Sequence, residues 1–313
     1  MYGCKNNLIL IFVILYNTII EIKSCELEQL INITTYNYIK ANAKWEPMDY
    51  DDNIFKNLNI LQATHYYLGL IRLSTFTNSN TNTNTNTNSN TNTKLSDMNT
   101  IVEVKEIEKN IDINMYTTYN FDGRVKFKRC LKHISNQHNC GGSWAFALTD
   151  VFSNRVCIRK PKEYKSTLSV QSLLACNKLN YGCNGGRVEA ALYHLVQSGI
   201  TTEICQRINV HKFSDNENHN IDCKANCDFD FITKHMFYID RKAIKLIDSF
   251  QEARESLFND GPLYAEMRVF EDFFHYNGGV YNNIVGMFIG YHAVRVIILY
   301  LILNIVAKLI YYR

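Results

Sequence analysis

Eight cysteines lie between Cys130 and Cys227, and this cluster constrains the fold more than any other feature of the chain. An even set of cysteines confined to one region is typical of a disulfide framework formed in an oxidising compartment. Zinc is the alternative, because Cys223 and Cys227 are close in sequence, but their neighbours lack paired ligand spacing and no histidine cluster accompanies them. We therefore expect disulfides, with no metal and no other cofactor. Spacing alone cannot assign the partners, since eight cysteines permit about 105 pairings.

The start of the chain has the pattern of a signal peptide. Lys5 precedes an apolar run from Leu8 to Ile20, and the small residue Ser24 lies near the expected cleavage point. The run is short for a membrane span, although an uncleaved anchor or a buried strand are the alternatives. Residues 1–24 are therefore predicted to direct export, and Asn32-Ile33-Thr34 is a glycosylation sequon consistent with it. We expect a secreted protein, with delivery to a lysosome as the alternative.

Composition limits the classes of function. The chain has 313 residues with 46% hydrophobic content, enough to bury one or two cores. Its formal charge of +3 is small and dispersed, so no nucleic-acid partner is expected. Residues 25–120 are polar and irregular, and residues 78–93 consist almost entirely of Asn, Thr and Ser. Such a tract cannot contribute to a core and is predicted to be a solvated insert.

A helix with a glycine-containing loop before it is predicted around Ser143. The positions Trp144, Ala147, Leu148, Val151 and Phe152 share one face at the helical period. The first turn of such a helix presents backbone N–H groups and a positive dipole end, which suit an anionic nucleophile or an oxyanion. The alternative is that the serine is a plain helix cap.

Several motifs in this region resemble the papain-like cysteine protease family, and most closely its cathepsin B-like branch. The resemblance covers about Phe121 to Val296. The motifs that carry it are the segment from Gln137 to Phe146, Leu168 to Cys176, Gly182-Cys183-Asn184-Gly185-Gly186, Gly261-Pro262, and Tyr291 to Val296; Phe121 to Arg124, Arg155 to Ile158, and Gly278 to Tyr281 indicate the branch. A weaker likeness to the short propeptide of that branch runs from Tyr36 to Trp45.

The resemblance implies an α+β, two-lobed fold with a helical left lobe and a barrel-like right lobe. The implied domains are the propeptide-like region 25–120, the peptidase domain 121–296 and a divergent apolar tail, 297–313. It places Ser143 at the nucleophile position, His292 as the catalytic histidine, and Gln137 in the oxyanion hole. It also implies substrate contacts from Gly185, Gly186 and Ala293, and an extended peptide could pair with the backbone of the glycines. The implied disulfides are Cys130–Cys157, Cys140–Cys183, Cys176–Cys223 and Cys205–Cys227.

Two departures from the family bear on its chemistry. The family mechanism needs a thiolate beside an imidazolium, which the hydroxyl of Ser143 cannot form. After Val296 the family continues with a glycine-rich strand and an Asn-Ser-Trp segment whose asparagine orients the histidine, but here Ile297 to Arg313 contains no such motif. The right lobe is therefore expected to be truncated. Tyr291 also replaces a glycine and is expected to crowd the cleft.

The apolar tail has three interpretations: a degenerate or artefactual end, which we favour, a substitute core strand, or a membrane anchor. A further difference concerns carboxydipeptidase activity, for which cathepsin B uses a cysteine-closed loop with paired histidines. The matching stretch from Arg207 to Ile221 has no cysteine and only His211 and His219, so that activity should be absent.

Two functions remain open at this stage. The first is a secreted, non-catalytic protein that binds a peptide or protein ligand in its cleft, similar to tubulointerstitial nephritis antigen and its relatives, which carry serine at the nucleophile position. The second is a cathepsin B-like endopeptidase, either using Ser143 weakly or reported with an imperfect C-terminal sequence. Chemistry favours the first, and we expect a monomer without a membrane partner.

Overall fold

The structure, a computed structural model, describes residues 29–71, 121–131, 134–162, 164, 166–208, 222–247 and 249–299, together with short strands at 14–15, 18–19 and 309–312. Most of the predicted signal peptide, the whole of the insert 78–93 and most of the stretch from Arg207 to Ile221 lie outside the described residues. Within the described part, no helix is both long and apolar enough to cross a membrane.

The described chain mixes helices and strands, which confirms the expected α+β, papain-like class. The helices are α1 (Ile33–Asn42), α2 (Ile60–Ala63), α3 (Gly123–Lys126), α4 (Ser143–Arg159), α5 (Val170–Cys176), α6 (Val188–Gln197) and α7 (Phe250–Asp260), with a π-helix at Thr64–Leu68 and 3₁₀ turns at Gly182–Asn184, Arg241–Ala243 and Glu271–His275. The strands are β1 (Ile14–Leu15), β2 (Thr18–Ile19), β3 (Glu46–Pro47), β4 (Gly69–Leu70), β5 (Phe121–Asp122), β6 (Ile244–Ile247), β7 (Leu263–Phe270), β8 (Tyr276–Gly278), β9 (Phe288–Val296), β10 (Ile298–Leu299) and β11 (Leu309–Tyr312).

The chain forms two compact units. We call the first, which runs through Thr64 and includes Phe270–Phe288, the front unit, and the second, His65–Val269 with the residues from Ile289 onward, the site unit. Strand order in the main sheet of the site unit is β4-β9-β7-β11-β6. The tail contributes β11 to this sheet and β10 to a pair with β5, so its backbone occupies strand positions, as in the substitute-strand interpretation.

The front unit is organised around α1. The side chain of Asn32, the sequon asparagine, caps this helix by accepting a hydrogen bond from the backbone N–H of Thr35 at 2.8 Å. Trp45 follows the helix, as the propeptide likeness predicts; it is 3% exposed and donates its indole N–H to the carbonyl of Asn282 at 2.9 Å. Its ring packs against Tyr276 and Tyr281.

The core of the site unit is built on α4, which is buried on almost every side. The apolar face expected from the sequence is present, since all five of its predicted residues are at most 6% exposed. Arg155 is buried as well, and its guanidinium donates to the carbonyls of Gly261 and Pro262 and to the hydroxyl of Ser256. This fixes the end of α7 to α4, so the Gly261-Pro262 motif supplies acceptors for a buried cation.

All four disulfides implied by the resemblance are present. They join Cys130 to Cys157, Cys140 to Cys183, Cys176 to Cys223 and Cys205 to Cys227. Every sulfur of the cluster is therefore used. Cys223 is bonded to Cys176 and Cys227 to Cys205, so neither thiol is available as a zinc ligand.

Candidate functional site

Ser143 lies at the first residue of α4, behind a loop that a disulfide holds in place. The N-cap is Gly142, and no side chain caps the helix. The interpretation of Ser143 as the helix cap is therefore wrong, because Gly142 is the N-cap and the Ser143 hydroxyl makes its hydrogen bonds elsewhere. The side chain is 1% exposed, and the Cys140–Cys183 disulfide links the preceding loop to the 3₁₀ turn at Gly182–Asn184.

His292 lies on strand β9. The backbone N–H of Ala293, next to His292, donates to Ser143 Oγ at 3.3 Å, so this strand and the start of α4 meet. The Nδ1 atom of His292 is buried and has no hydrogen-bond partner. Burial lowers the pKa of His292 below its usual 6.5, and hydrogen bonding to the backbone of Tyr67 and Leu68 opposes that shift in part. The imidazole is therefore neutral at neutral pH.

The two glycines before α6 hold an extended strand of the chain itself. The backbone N–H of Gly186 donates to the carbonyl of Gly69 at 2.9 Å, and the N–H of Ile71 donates back to the carbonyl of Gly186 at 2.8 Å. A Cβ on Gly186 would lie 2.6 Å from the ring of Trp144, so no larger residue fits there. The backbone edge at Gly186, which was expected to pair with an extended peptide, therefore pairs with residues 69–71 of the same chain.

Residues 65–71 continue across the remaining polar groups of the site, and we call them the cleft segment. Gln137 Nε2 donates to the carbonyls of Tyr66 and Tyr67 at 3.3 and 3.0 Å. Ser143 Oγ donates to the carbonyl of Leu68 at 2.5 Å. The donors that the resemblance assigns to catalysis are therefore engaged with backbone carbonyls of the cleft segment.

The sequence did not predict this segment at the site. It belongs to a region interpreted only as propeptide-like, and it meets Gly186 more than 100 residues further along the chain. The one local signal is the apolar run from Leu68 to Ile71, interrupted by a single glycine, just before the polar insert.

A cavity of about 310 Å³ opens beside these groups, with Gln137, Ser143, His292 and Ala293 in its wall. A second cavity, of about 420 Å³, shares Asp150 and Arg295 with it. Those two side chains form an ion pair at 3.4 Å. In the second cavity, burial raises the pKa of Glu203 to about 7, so this carboxyl is partly protonated at neutral pH.

The structure brings all six predicted site residues to this one cleft. Ser143, His292, Gln137 and Ala293 line the first cavity, and Gly185 and Gly186 border the cleft segment. Tyr291 pairs with Leu70 through the backbone, and its side chain packs against the main core. Catalytic and binding roles for these residues remain predictions.

Comparison with known proteins defines the class. The model of the papain family cysteine proteases matches residues 117–298, which is more than half of the chain. The chain belongs to this family.

Individual relatives include a cathepsin B-like proteinase and a tubulointerstitial nephritis antigen-like protein. Cathepsin B-like cysteine proteinase 3 of Caenorhabditis elegans is 32% identical over 195 residues, which cover 56% of this chain and 52% of that protein. Tubulointerstitial nephritis antigen-like of Homo sapiens is 29% identical over 182 residues, covering 52% of this chain and 38% of the relative. The chain thus spans about half or less of the length of these relatives. Among solved structures, procathepsin B S9 from Trypanosoma congolense superposes with a TM-score of 0.65 at 24% identity, covering 87% of this chain and 84% of that one, which supports the fold.

Proposed function

We propose that this chain is a secreted, non-catalytic member of the papain family that keeps a cleft for an extended peptide or protein ligand. The observation that carries the proposal is the state of Ser143. Its hydroxyl proton is directed to the Leu68 carbonyl at 2.5 Å, while Nδ1 of His292 has no hydrogen-bond partner. A serine nucleophile needs its proton taken by a base during attack, so this arrangement supports binding rather than hydrolysis.

The binding half of the proposal rests on the backbone geometry. Gly186 exchanges two hydrogen bonds with an extended strand, which is the mode in which peptides add to an exposed strand edge. Gln137 and Ser143 supply three further donor contacts to successive carbonyls. A cleft of this kind recognises a backbone without needing to cut it. Four disulfides suit an extracellular or lysosomal compartment.

Hydrolysis by a cathepsin B-like endopeptidase is the second candidate, because Gln137, Ser143 and His292 border one cavity. Turnover of a fluorogenic dipeptide separates the two. We expect the full chain and its Ser143→Ala variant to give the same background rate, because the serine takes no part in chemistry. Turnover by the wild type that Ser143→Ala abolishes would overturn the non-catalytic function.

Chemical labelling tests the same point on the serine itself. A fluorophosphonate reacts with activated serines and an epoxide reacts with thiols, and we expect neither to modify position 143 in intact-protein mass spectrometry. A phosphonate adduct on Ser143 would show that the hydroxyl is activated. Thermal unfolding of both proteins checks that the Ser143→Ala variant is folded.

A further inference from the structure

The second cavity, of about 420 Å³, holds a carboxyl group that the proposed function does not use. Glu203 lines this cavity and is half-buried, two residues before the disulfide-bonded Cys205. Its Oε1 atom accepts a hydrogen bond from the backbone N–H of Ile208 at 2.9 Å, which fixes the carboxyl group in one direction. Among the described residues, no donor forms a hydrogen bond with Oε2. One oxygen of Glu203 is therefore left for a ligand in the cavity.

The ion pair that borders both cavities is already satisfied. Asp150 accepts a hydrogen bond from the hydroxyl of Ser135 at 2.9 Å and forms its ion pair with Arg295 at 3.4 Å. Arg295 also donates to the side-chain oxygen of Asn154 at 2.9 Å. A charged ligand would gain little from either member of this pair, because each is engaged by the other. Glu203 is thus the carboxyl of the cavity wall that can accept a ligand without breaking an existing contact.

The electrostatic surroundings of Glu203 favour a positively charged ligand. Burial raises the pKa of its carboxyl to about 7, and repulsion from Asp228 and Asp150 acts in the same direction. The backbone N–H of Ile208 and the exposed Arg207 oppose this shift. An ammonium group beside Oε2 would compensate the repulsion, because a nearby opposite charge stabilises the ionised carboxylate.

The rest of the wall favours an apolar body with a single charge. Phe146, Leu168 and Val170 line the cavity, and each is at most 7% exposed. Arg129 and His138 also line it, but both are exposed. A second positive charge on the ligand would approach the guanidinium of Arg129 and be repelled. The cavity volume of about 420 Å³ is in the range of small-molecule sites.

We propose that the second cavity is a binding site for a primary organic amine, a monocation with an apolar body, whose ammonium group is held by Oε2 of Glu203. This site is separate from the peptide cleft and does not depend on the proposed function. Binding is coupled to a proton, because the ammonium group selects the ionised carboxylate. The protein therefore releases a proton from Glu203 when an amine binds near neutral pH.

Isothermal titration calorimetry on the full chain tests the site with 2-phenylethylamine as the probe, which is a cation at both pH 5.5 and pH 8.5. With a carboxyl pKa of about 7, only about 3% of Glu203 is ionised at pH 5.5, so the amine should bind about thirtyfold more tightly at pH 8.5. Near pH 7, titrations in buffers of different ionisation enthalpy should show release of about half a proton. The uncharged analogue 2-phenylethanol should bind at least about tenfold more weakly than the amine at pH 8.5.

The test variant is Glu203→Gln, whose amide oxygen can still accept from Ile208 while the charge is removed. We expect its affinity for 2-phenylethylamine at pH 8.5 to fall at least about tenfold, with no dependence on pH and no proton release. Glu255→Gln is the matched control, because Glu255 is an exposed carboxyl on α7 that accepts a hydrogen bond from Gln251 and does not line the cavity. It should bind the amine as the wild type does. Thermal unfolding checks that both variants are folded.

Three results would overturn the proposal. They are the absence of amine binding to the wild type, equal binding by wild type and Glu203→Gln, and an affinity that does not change between pH 5.5 and pH 8.5. Proton release is measured on the wild type alone, so it decides the question even if Glu203→Gln does not fold. Amine binding without release of a proton near pH 7 would show that Glu203 does not hold the ammonium group.

Discussion

The two flanks of the cleft differ in how completely the fold supports them. On the Ser143 flank, α4 is buried, Trp144 donates its indole N–H to Gly182 at 3.1 Å, and a disulfide fixes the loop before the helix. On the His292 flank, most residues of β9 are only partly buried, and the imidazole has a buried nitrogen with no partner. The difference teaches that this molecule keeps the elements that hold a backbone. On the His292 flank, the structure shows a buried imidazole nitrogen without a hydrogen-bond partner.

That contrast accounts for the chemistry expected of the cleft. Backbone recognition needs fixed donors and acceptors, which α4 and the glycines before α6 provide. Catalysis needs a base held in one orientation and tautomer, and the sequence contains no family-type asparagine after Val296 to hold His292. Backbone recognition is supported by local packing, whereas orientation of the catalytic base depends on the residues after Val296.

The largest predicted effect concerns restoration of the nucleophile. At Gly69 an added Cβ would lie 1.8 Å from the carbonyl oxygen of Gly141, so Gly69→Ala is expected to displace the cleft segment. In that background, Ser143→Cys should have a kcat/KM on a fluorogenic dipeptide about 10⁴-fold below that of a second protein. The second protein carries the same two changes and has a family-type glycine-rich strand and Asn-Ser-Trp segment in place of residues 297–313. A misoriented catalytic histidine causes a defect of that size in the serine triad. Residues of a catalytic unit are strongly non-additive, so the tail alone should do nothing.

The control for that comparison is the tail graft on a Ser143→Ala chain, which should not hydrolyse the dipeptide. High activity from Ser143→Cys without the graft would show that the His292 flank is complete as it stands. The contrast between the flanks would then be wrong.

The second prediction weakens the Ser143 flank. Replacing Cys140 and Cys183 together by serine should lower the free energy of unfolding in urea by about 2–5 kcal/mol, because the cross-link restricts the unfolded chain and both sulfurs are buried. The same change at Cys205 and Cys227, a shorter loop with a partly exposed Cys227, should cost less. Faster exchange at the Ile71 amide should accompany only the first pair. Equal losses without that local effect would mean that the disulfide does not support the cleft.

The two flanks also differ in how far the sequence could predict them. Helical periodicity from Trp144 to Phe152 is a local signal, and the family motifs supplied the four disulfide pairs that spacing left open. The contacts of the cleft segment are not local. Nothing in the composition of residues 65–71 indicates that Leu68 meets Ser143, because pairing over such a separation depends on the tertiary fold.

The sequence also could not predict which buried imidazole nitrogens lack a hydrogen-bond partner. A histidine reads the same in a sequence whether its nitrogens are bonded or not, so neither His292 nor the buried His275 of the front unit could be distinguished beforehand. Neither ring nitrogen of His275 has a hydrogen-bond partner, and the nearby Asp272 accepts hydrogen bonds from four other donors.

The third prediction concerns the pH dependence of stability caused by His275, a second buried histidine without hydrogen-bond partners. This side chain is fully buried, neither ring nitrogen has a partner, and its ring stacks on Tyr36 of α1. Burial lowers its pKa below 6.5, and the nearby Asp272 opposes this in part. The unfolded state therefore binds the proton more readily, so stability is full above pH 6.5 and is lost as the pH falls below it, by at most about 1.4 kcal/mol per pH unit.

Hydrogen exchange of α1 at pH 7.5 and pH 5.5 measures this loss. His275→Leu should remove much of the acid sensitivity of the front unit, while His235→Leu, at an exposed histidine, should leave it unchanged. Identical pH profiles for wild type and His275→Leu would show that the buried imidazole is not the acid-sensitive group.

The smallest predicted effect compares two buried hydroxyls on the same helix. Ser143 Oγ donates to Leu68, whereas Thr149 Oγ1, almost two turns later, is buried without a partner. Ser143→Ala should lower the free energy of unfolding by about 1 kcal/mol, because it leaves the Leu68 carbonyl without its donor. Thr149→Val removes an unsatisfied hydroxyl at nearly constant volume and should be neutral or slightly stabilising. Urea denaturation of both variants measures the difference, and a Ser143→Ala change as mild as Thr149→Val would mean that the hydroxyl at the nucleophile position contributes nothing to holding the cleft segment.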